Sequence, residues 1–463
     1  MSRSPVSLSL GLVAMLFAGC AVSPEPGPGD TRAQALSQVQ VPQTWSMPSN
    51  PAPVAAGWLA TFDDPQLSAL VAEALAQNPN LAVAAARVEQ AEAQVDLANA
   101  QLKPAIGILG RAGSKSTSDL VSLLSGVMLR ISWEVDLWGR LRYQRNATMA
   151  QRDASSADLR FAQQSLAASV ARVWFVATET AQQAQIAQRM ADDAQQLIGL
   201  SNDRLRIGAG TEMDVMAARA SHASYRDAAQ QVALAHRSAL RALEILVGRY
   251  PAAAISSRAE LAPFPAPAPA GMPLEALDRR PDLWAAQRRV AAAFDLVGDA
   301  KASFWPSLSL SAGYGHLSRQ ASEIQQSLDR TTTSGSATVA VPLYTGGRLT
   351  GSVRLRTAEQ REAVANYARL ALKALEDVET ALDAEVSLAT REELLRAAAA
   401  DSRRAAGLMQ TAYRVGKSDL RDVMNRQLFA NAAEIALLAV RRERLVRRVD
   451  LHLALGGDFV AAP

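Results

Sequence analysis

One cysteine, Cys20, stands among 463 residues. A lone thiol closes no intrachain disulfide and builds no thiolate metal site. Aromatic residues make up only 5% of the chain, although 49% of it is hydrophobic. The apolar content is therefore mostly Ala, Leu and Val, which favours long, closely packed helices over an aromatic-rich globular core. Histidine is scarce as well. His222, His236, His316 and His452 are scattered, without the spacing of an HExxH metal motif. Gly-x-Ser-x-Gly and a Walker loop are missing, so no catalytic constellation argues for an enzyme. Gly346-Gly347 reads as strand-to-helix turn chemistry, because the equivalent Gly139 lacks a second glycine. Charge of one sign is lacking too. The 48 basic and 45 acidic residues are well mixed, net +3, and nothing demands a nucleic acid partner.

What is present begins at the N-terminus. Arg3 supplies a positive n-region and Val6 to Phe17 an apolar h-region, too short for a permanent span of about 20 residues. Leu16-Phe17-Ala18-Gly19-Cys20 resembles a bacterial lipobox. That resemblance implies a signal peptide over 1–19 and a covalent lipid on Cys20; no cofactor is expected. More than one acyl chain is needed for stable anchoring. Ala21 follows the cysteine rather than Asp, which points to the outer membrane of a Gram-negative cell. Residues 20–57 read as a lipidated tether, with the Pro-rich stretches PEPGPGD and MPSNPAP.

The mature chain is written twice. Asn78-Pro79-Asn80-Leu81 matches Arg280-Pro281-Asp282-Leu283 at an offset of 202. Gly139-Arg140-Leu141 matches Gly347-Arg348-Leu349, Asp214-Val215-Met216 matches Asp422-Val423-Met424, and Gly248 matches Gly456, all at 208. Two structural repeats are expected, 58–262 and 274–463, joined by a Pro/Ala-rich linker at 263–273. Each repeat carries two runs that alternate apolar and polar with a period of two, for example Val127, Leu129, Ile131, Trp133 and Val135 against Met128, Arg130, Ser132 and Glu134. Alternation alone fits tilted transmembrane strands and soluble hairpins equally.

The helical segments decide between them. Leu141 to Ile198 and Ser352 to Ala406 contain neither Gly nor Pro. At 1.5 Å per residue each is on the order of 85 Å long, far beyond a bilayer core of about 30 Å. Both carry too many charges for lipid, so they project through water and need partners along their length. Shorter helical stretches, Pro65 to Leu102 with Thr211 to Val247, and Pro281 to Ser303 with Ser418 to Leu455, are the expected partners. Open sheet edges are not tolerated in lipid, and four strands per chain cannot close a barrel, so closure requires oligomers. Trp133, Trp138 and Tyr143 stand near the strand-to-helix junction, where an aromatic belt and plain packing remain equal readings.

Trp58…Phe62-Asp63-Asp64-Pro65, SWEVDLWGRLR, the RRPDLW…SFWPSLSLSAGYG segment, VPLYTGGR, YRVGKSDLRDVM and the terminal LALGG together resemble the TolC-like outer-membrane efflux proteins. The resemblance is to the lipoprotein branch that serves resistance-nodulation-division pumps. It implies a mainly α chain with a transmembrane β section. The implied homotrimer has a twelve-stranded β-barrel, four strands per chain, continuous with a long periplasmic α-helical barrel. It implies a passive exit duct for small molecules, working with a periplasmic adaptor and an inner-membrane pump. By the same resemblance, Asp422 and Asn425 fall on a ring that narrows the periplasmic end, and Tyr413 and Ser418 on its closing links. Gly208 and Gly416 permit tight turns at the hairpin tips, where Thr211 and Ser418 are expected N-caps. Arg206, Arg414 and Lys417 are candidate adaptor contacts, although solvated helix-end cations are the favoured reading of these three. Rival readings keep the fold for protein secretion or metal export, or make the chain a pore-free periplasmic scaffold.

Overall fold

The computed structural model describes residues 26–111, 124–319 and 328–459. The signal peptide at 1–19 and the lipidation of Cys20 fall outside the described residues. Helices α1 (Pro28–Ala35), α2 (Pro65–Gln77) and α3 (Pro79–Gln101) lead into strands β1 (Ala105–Arg111) and β2 (Leu124–Val135). Then come α4 (Arg140–Arg206), α5 (Glu212–Leu246), α6 (Pro273–Arg279) and α7 (Pro281–Ala302). Strands β3 (Ser307–Arg319) and β4 (Leu328–Ala340) precede α8 (Arg348–Arg414) and α9 (Leu420–Ala454). The long helices α4 and α8 have 67 residues each. No helix among the described residues is long and apolar enough to cross a membrane.

The chain divides into two compact units. The first comprises Met1–Val39, Ala85–Ala157 and Trp284–Arg369. Its centre is one antiparallel sheet in the order β1-β2-β3-β4. Cross-strand partners share a face, and the register defines two surfaces, one mainly apolar and one mainly polar. Ile108, Leu129, Tyr314 and Thr333 form one rung of the apolar face, and Trp133, Leu310 and Ala337 another. Ser132, Ser311 and Ser336 form a rung of the polar face. Ile106, Ile108, Val127 and Tyr314 are exposed, so no described element of this chain covers the apolar surface. Beside the sheet, α4 meets α7 through small residues, Ala147 and Ala150 against Ala291 and Ala292. Gly298 lets the two backbones close up, for a Cβ there would lie 2.6 Å from the Tyr143 ring.

The second unit comprises Gln40–Ala84, Asp158–Leu283 and Leu370–Pro463. Its main core gathers Phe62, Leu67, Val71, Trp174, Phe175, Leu243 and Val449. Asp64 both caps α2, accepting from the Gln66 and Leu67 amides, and receives the Trp174 indole N–H at 2.9 Å. The stretch expected as a single helix from Pro65 to Leu102 is broken at Asn78, whose φ −67°, ψ 123° is extended. Pro79 is the reason, since it excludes helical geometry in the residue before it. Arg280 breaks the chain before Pro281 in the same way. Each break residue then binds the end of its repeat's return helix. Asn78 Nδ2 donates to the Leu246 carbonyl at 2.8 Å, and Arg280 Nη1 to the Ala454 carbonyl at 3.3 Å. The duplicated Asn-Pro-Asn-Leu and Arg-Pro-Asp-Leu motifs are thus the points where entering and returning helices are tied.

The Pro-rich segments are held rather than free. Trp45 is buried and donates from its indole to the Gly271 carbonyl at 3.0 Å. The Ala270 amide donates to the Asn50 carbonyl, and the Gly271 amide to that of Ala52. Ser46 binds Glu379 on α8 through both backbone and hydroxyl. Residues read as tether and linker therefore pair with each other, through long-range contacts that composition does not encode.

Candidate functional site

Two places concentrate designed geometry: the weld between strand and helix in the first unit, and the helix tips in the second.

At the weld, only residues 136–139 separate β2 from α4. Asp136 makes so short a link workable. Its carboxylate accepts from the Leu141 and Arg142 amides, each at 3.1 Å, and from Arg142 Nε at 3.0 Å. Those amides are among the orphan donors that every helix start leaves open, and an acid suits the positive end of the helix dipole. Gly139 supplies the positive φ of 77° that turns the chain. Trp138 donates to the Pro306 carbonyl at 2.7 Å and stacks on Trp305 at 5.1 Å. Trp133 donates to the Leu102 carbonyl. Both indoles near the junction thus anchor the sheet's helical end to the chain's own backbone. The second weld, 341–347, is longer and looser: Leu343 and Tyr344 are 93% and 90% exposed.

At the tips, Gly208 and Gly416 adopt φ of 73° and 78°, closing the α4–α5 and α8–α9 turns. Thr211 caps α5 in a reciprocal box with Asp214. The second tip departs from expectation. Asp419, not Ser418, caps α9, accepting from the Asp422 amide at 2.9 Å. A carboxylate competes better than a hydroxyl for that donor, and Ser418 instead donates to the Met409 carbonyl at 3.4 Å. The tips are joined by a small core of Leu197, Ala218, Tyr413, Leu420 and Val423.

Of the residues singled out in the sequence, Tyr413 is buried, while Asp422 and Asn425 are exposed one turn apart on α9. Arg206 is exposed and pairs with Asp203 at 3.1 Å; Arg414 and Lys417 are exposed as well. Tyr413 is not brought to Asp422. Its ring lies under the Arg204 guanidinium, 4.5 Å from the centroid, and its hydroxyl is 3.5 Å from Ser201 Oγ. Arg204 also donates to the Tyr413 carbonyl at 2.7 Å and the Ala209 carbonyl at 3.0 Å, so one side chain ties both tips. Sequence reasoning missed Arg204. The available signal was its place in the last turn of α4, where a cation meets free carbonyls. No group of His, Cys, Asp and Glu able to hold a metal occurs among the described residues.

The profile of the "Outer membrane efflux protein" family matches residues 70–249 and 272–457. The chain is 30% identical over 418 residues to the pyoverdine export outer membrane protein OpmQ of Pseudomonas putida, covering 87% of this chain and 88% of that protein. It is 28% identical over 480 residues to the cation efflux system protein CusC of Escherichia coli, covering 98% and 99%. Among solved structures, the outer-membrane channel OprN superposes with a TM-score of 0.84 at 26% identity, covering 95% of this chain and 100% of that one.

Proposed function

Since the chain belongs to the outer membrane efflux protein family, we propose that three copies pool their sheets into one twelve-stranded barrel and that the helix tips gate its inner end. The chain is an outer-membrane efflux duct, a passive conduit and not an enzyme. The observation that carries the trimeric reading is the sheet itself. Among the described residues its apolar face is uncovered, and β1 and β4 are left as edges. In lipid, unpaired edge groups cost several kcal/mol each, so β1 of one copy pairs with β4 of the next. The helices then continue the wall into the periplasm, where an adaptor docks at Arg206, Gly208, Arg414, Gly416 and Lys417 and an inner-membrane pump of the resistance-nodulation-division type supplies the energy. A lipid on Cys20 completes the anchoring.

In this reading the tips close the inner end by two different means. Asp422 and Asn425, exposed on α9, face the three-fold axis, and three Asp422 carboxylates make an acidic ring. Arg204 holds Tyr413 within each protomer, so that the two hairpins move as one. The cargo is a small molecule; relatives carry names as different as pyoverdine export and cation efflux. Single-channel recording in planar bilayers tests the assignment. Asp422→Ala and Arg204→Ala each raise conductance, and the double variant raises it further. Unchanged conductance in all three removes the gate from the tips, and a protein that migrates as a monomer in mild detergent removes the trimer.

A further inference from the structure

The polar face of the sheet holds little charge. Among its residues whose side chains are described, only Glu134 and Arg130 are ionised, both on β2 and two rungs apart. Their surroundings differ. Glu134 is matched by Arg140 at 2.8 Å, at the start of α4. Arg130 is exposed, and no described carboxylate pairs with it. Its rung is also the emptiest: Arg130 lies between Gly107 of β1 and Gly313 of β3, with Ser334 of β4 beyond. A Cβ at Gly313 would lie 2.7 Å from Ser334 Oγ and 3.1 Å from Met128 Sδ, so a larger residue there would have to displace those two side chains. The rung on one side joins Ala105 to three serines, and Leu109, Met128, Gly315 and Thr332 form the rung on the other. A single guanidinium with no described carboxylate partner therefore stands between two uncharged rungs. In the sequence, Arg111, Arg319 and Arg330 follow at even spacing along the other three strands, and no further acid does.

We propose that Arg130 sets the charge preference of the barrel section, three copies forming a cationic ring that favours anionic solutes. This rests on the trimeric duct reading, in which the polar face lines the lumen. Rings of like-charged side chains select counter-ions in pores, and the effect has the range of the Debye length, about 10 Å at 0.1 M salt and 3 Å at 1 M. The neutralised Glu134–Arg140 pair nearby does not offset it.

The test is the zero-current potential of the full-length trimer in a potassium chloride gradient. Arg130→Gln shifts it toward cation permeation, Arg130→Glu shifts it further, and Arg130→Lys stays with the parent. The differences shrink when the dilute side is raised to 1 M. A thiol at the same place gives an independent readout, because Cys20 is the one native cysteine. In Arg130→Cys, a cationic methanethiosulfonate returns the potential toward the parent and an anionic one moves it away. Leu129→Cys, on the apolar face, responds to neither. Robust currents with all Arg130 variants indistinguishable from the parent, and Arg130→Cys blind to both reagents, overturn the ring alone. A parent protein that gives no current in any preparation overturns the duct, and the ring with it.

Discussion

Glu244 and His452 stand 208 residues apart, at the same place in the two repeats. Each begins the last turn of a return helix, and the two helices end identically. The Arg249 amide reaches back to the Glu244 carbonyl at 2.7 Å, and the Gly457 amide to that of His452 at 3.0 Å. Gly248 and Gly456 take φ of 80° and 67° between them, the left-handed closure of a Schellman turn. Both side chains are buried, yet they solve burial differently. The Glu244 carboxylate accepts from three successive amides, Ala253, Ala254 and Ile255. His452 has no hydrogen bond on either ring nitrogen among the described residues and stacks flat on Trp58, centroids 5.5 Å apart. The backbone turn is thus the conserved device of the duplication, while the buried side chain answers to whatever segment lies across from it. In the first repeat that is a loop with amides to satisfy; in the second it is an aromatic face.

The sharpest way to break the comparison is to remove both polar groups. Glu244→Leu takes the acceptor from three amides, of which that of Ile255 belongs to a buried residue, and a buried amide left unpaired costs roughly 1–3 kcal/mol. The variant should lose its helical circular dichroism at a clearly lower temperature than the parent in detergent. His452→Leu, measured beside it at pH 8, should be close to the parent, since it abandons no hydrogen bond and keeps the apolar contact. Equal losses in the two variants would show that the slots are equivalent after all.

Next in size are the glycines that the comparison treats as fixed. A Cβ at Gly248 would lie 2.7 Å from the Gln77 carbonyl oxygen; at Gly456 the nearest atom is the Arg279 carbonyl carbon at 3.0 Å. Alanine at either position also suffers left-handed strain of about 1–2 kcal/mol. Gly248→Ala and Gly456→Ala should therefore both lower the melting temperature, the former by more. These glycines were visible in the sequence as a repeated pair, as were the four strands, the two long helices and the tip turns. Period-two alternation and helix-breaker spacing are local signals, and they specified the elements well. Three things were not legible. The helix break at Asn78 was missed because one residue before proline is a small signal inside a long apolar pattern, whereas the matching helix of the second repeat was expected from Pro281 and begins there. Asp419 and Ser418 are adjacent, and composition alone could not choose the cap between them. Arg204, which clasps Tyr413, depends on two hairpins meeting in space.

A smaller effect separates the repeats by pH. Burial, followed by the nearby Arg448 charge, pushes His452 down to about 3, against roughly 6.5 in an unfolded chain. Between those values the unfolded state binds the extra proton. The contribution of a neutral His452 is therefore complete above about pH 6.5 and declines as pH falls toward 3. Glu244 behaves differently. Burial works to raise its carboxyl, but the three amides and Arg249 outweigh it and hold it below the usual range. Its contribution is complete above about 4.5 and is lost only in stronger acid. Lowering the pH from 7 to 5 should thus destabilise the parent chiefly through His452, and His452→Leu should flatten that slope while Glu244→Gln leaves it in place. A slope unchanged in His452→Leu would assign the acid sensitivity elsewhere.

The least effect concerns the loop that Glu244 holds. Ala253 sits at φ 61°, a left-handed conformation in a residue with a Cβ, and it donates its amide to Glu244 at 2.6 Å. The carboxylate therefore stabilises a strained backbone as well as accepting hydrogen bonds. Ala253→Gly removes strain of about 1–2 kcal/mol, but it also frees the unfolded chain by up to about 1 kcal/mol. The two terms nearly cancel, so the single variant should melt within a few degrees of the parent, on the stable side. The informative measurement is the pair. If Glu244 supports the strained residue, Ala253→Gly should recover part of the stability lost in Glu244→Gln, a gain larger than it gives in the parent. Additive effects would mean that the loop keeps its shape without the carboxylate, and that the charge in the first repeat serves its amides alone.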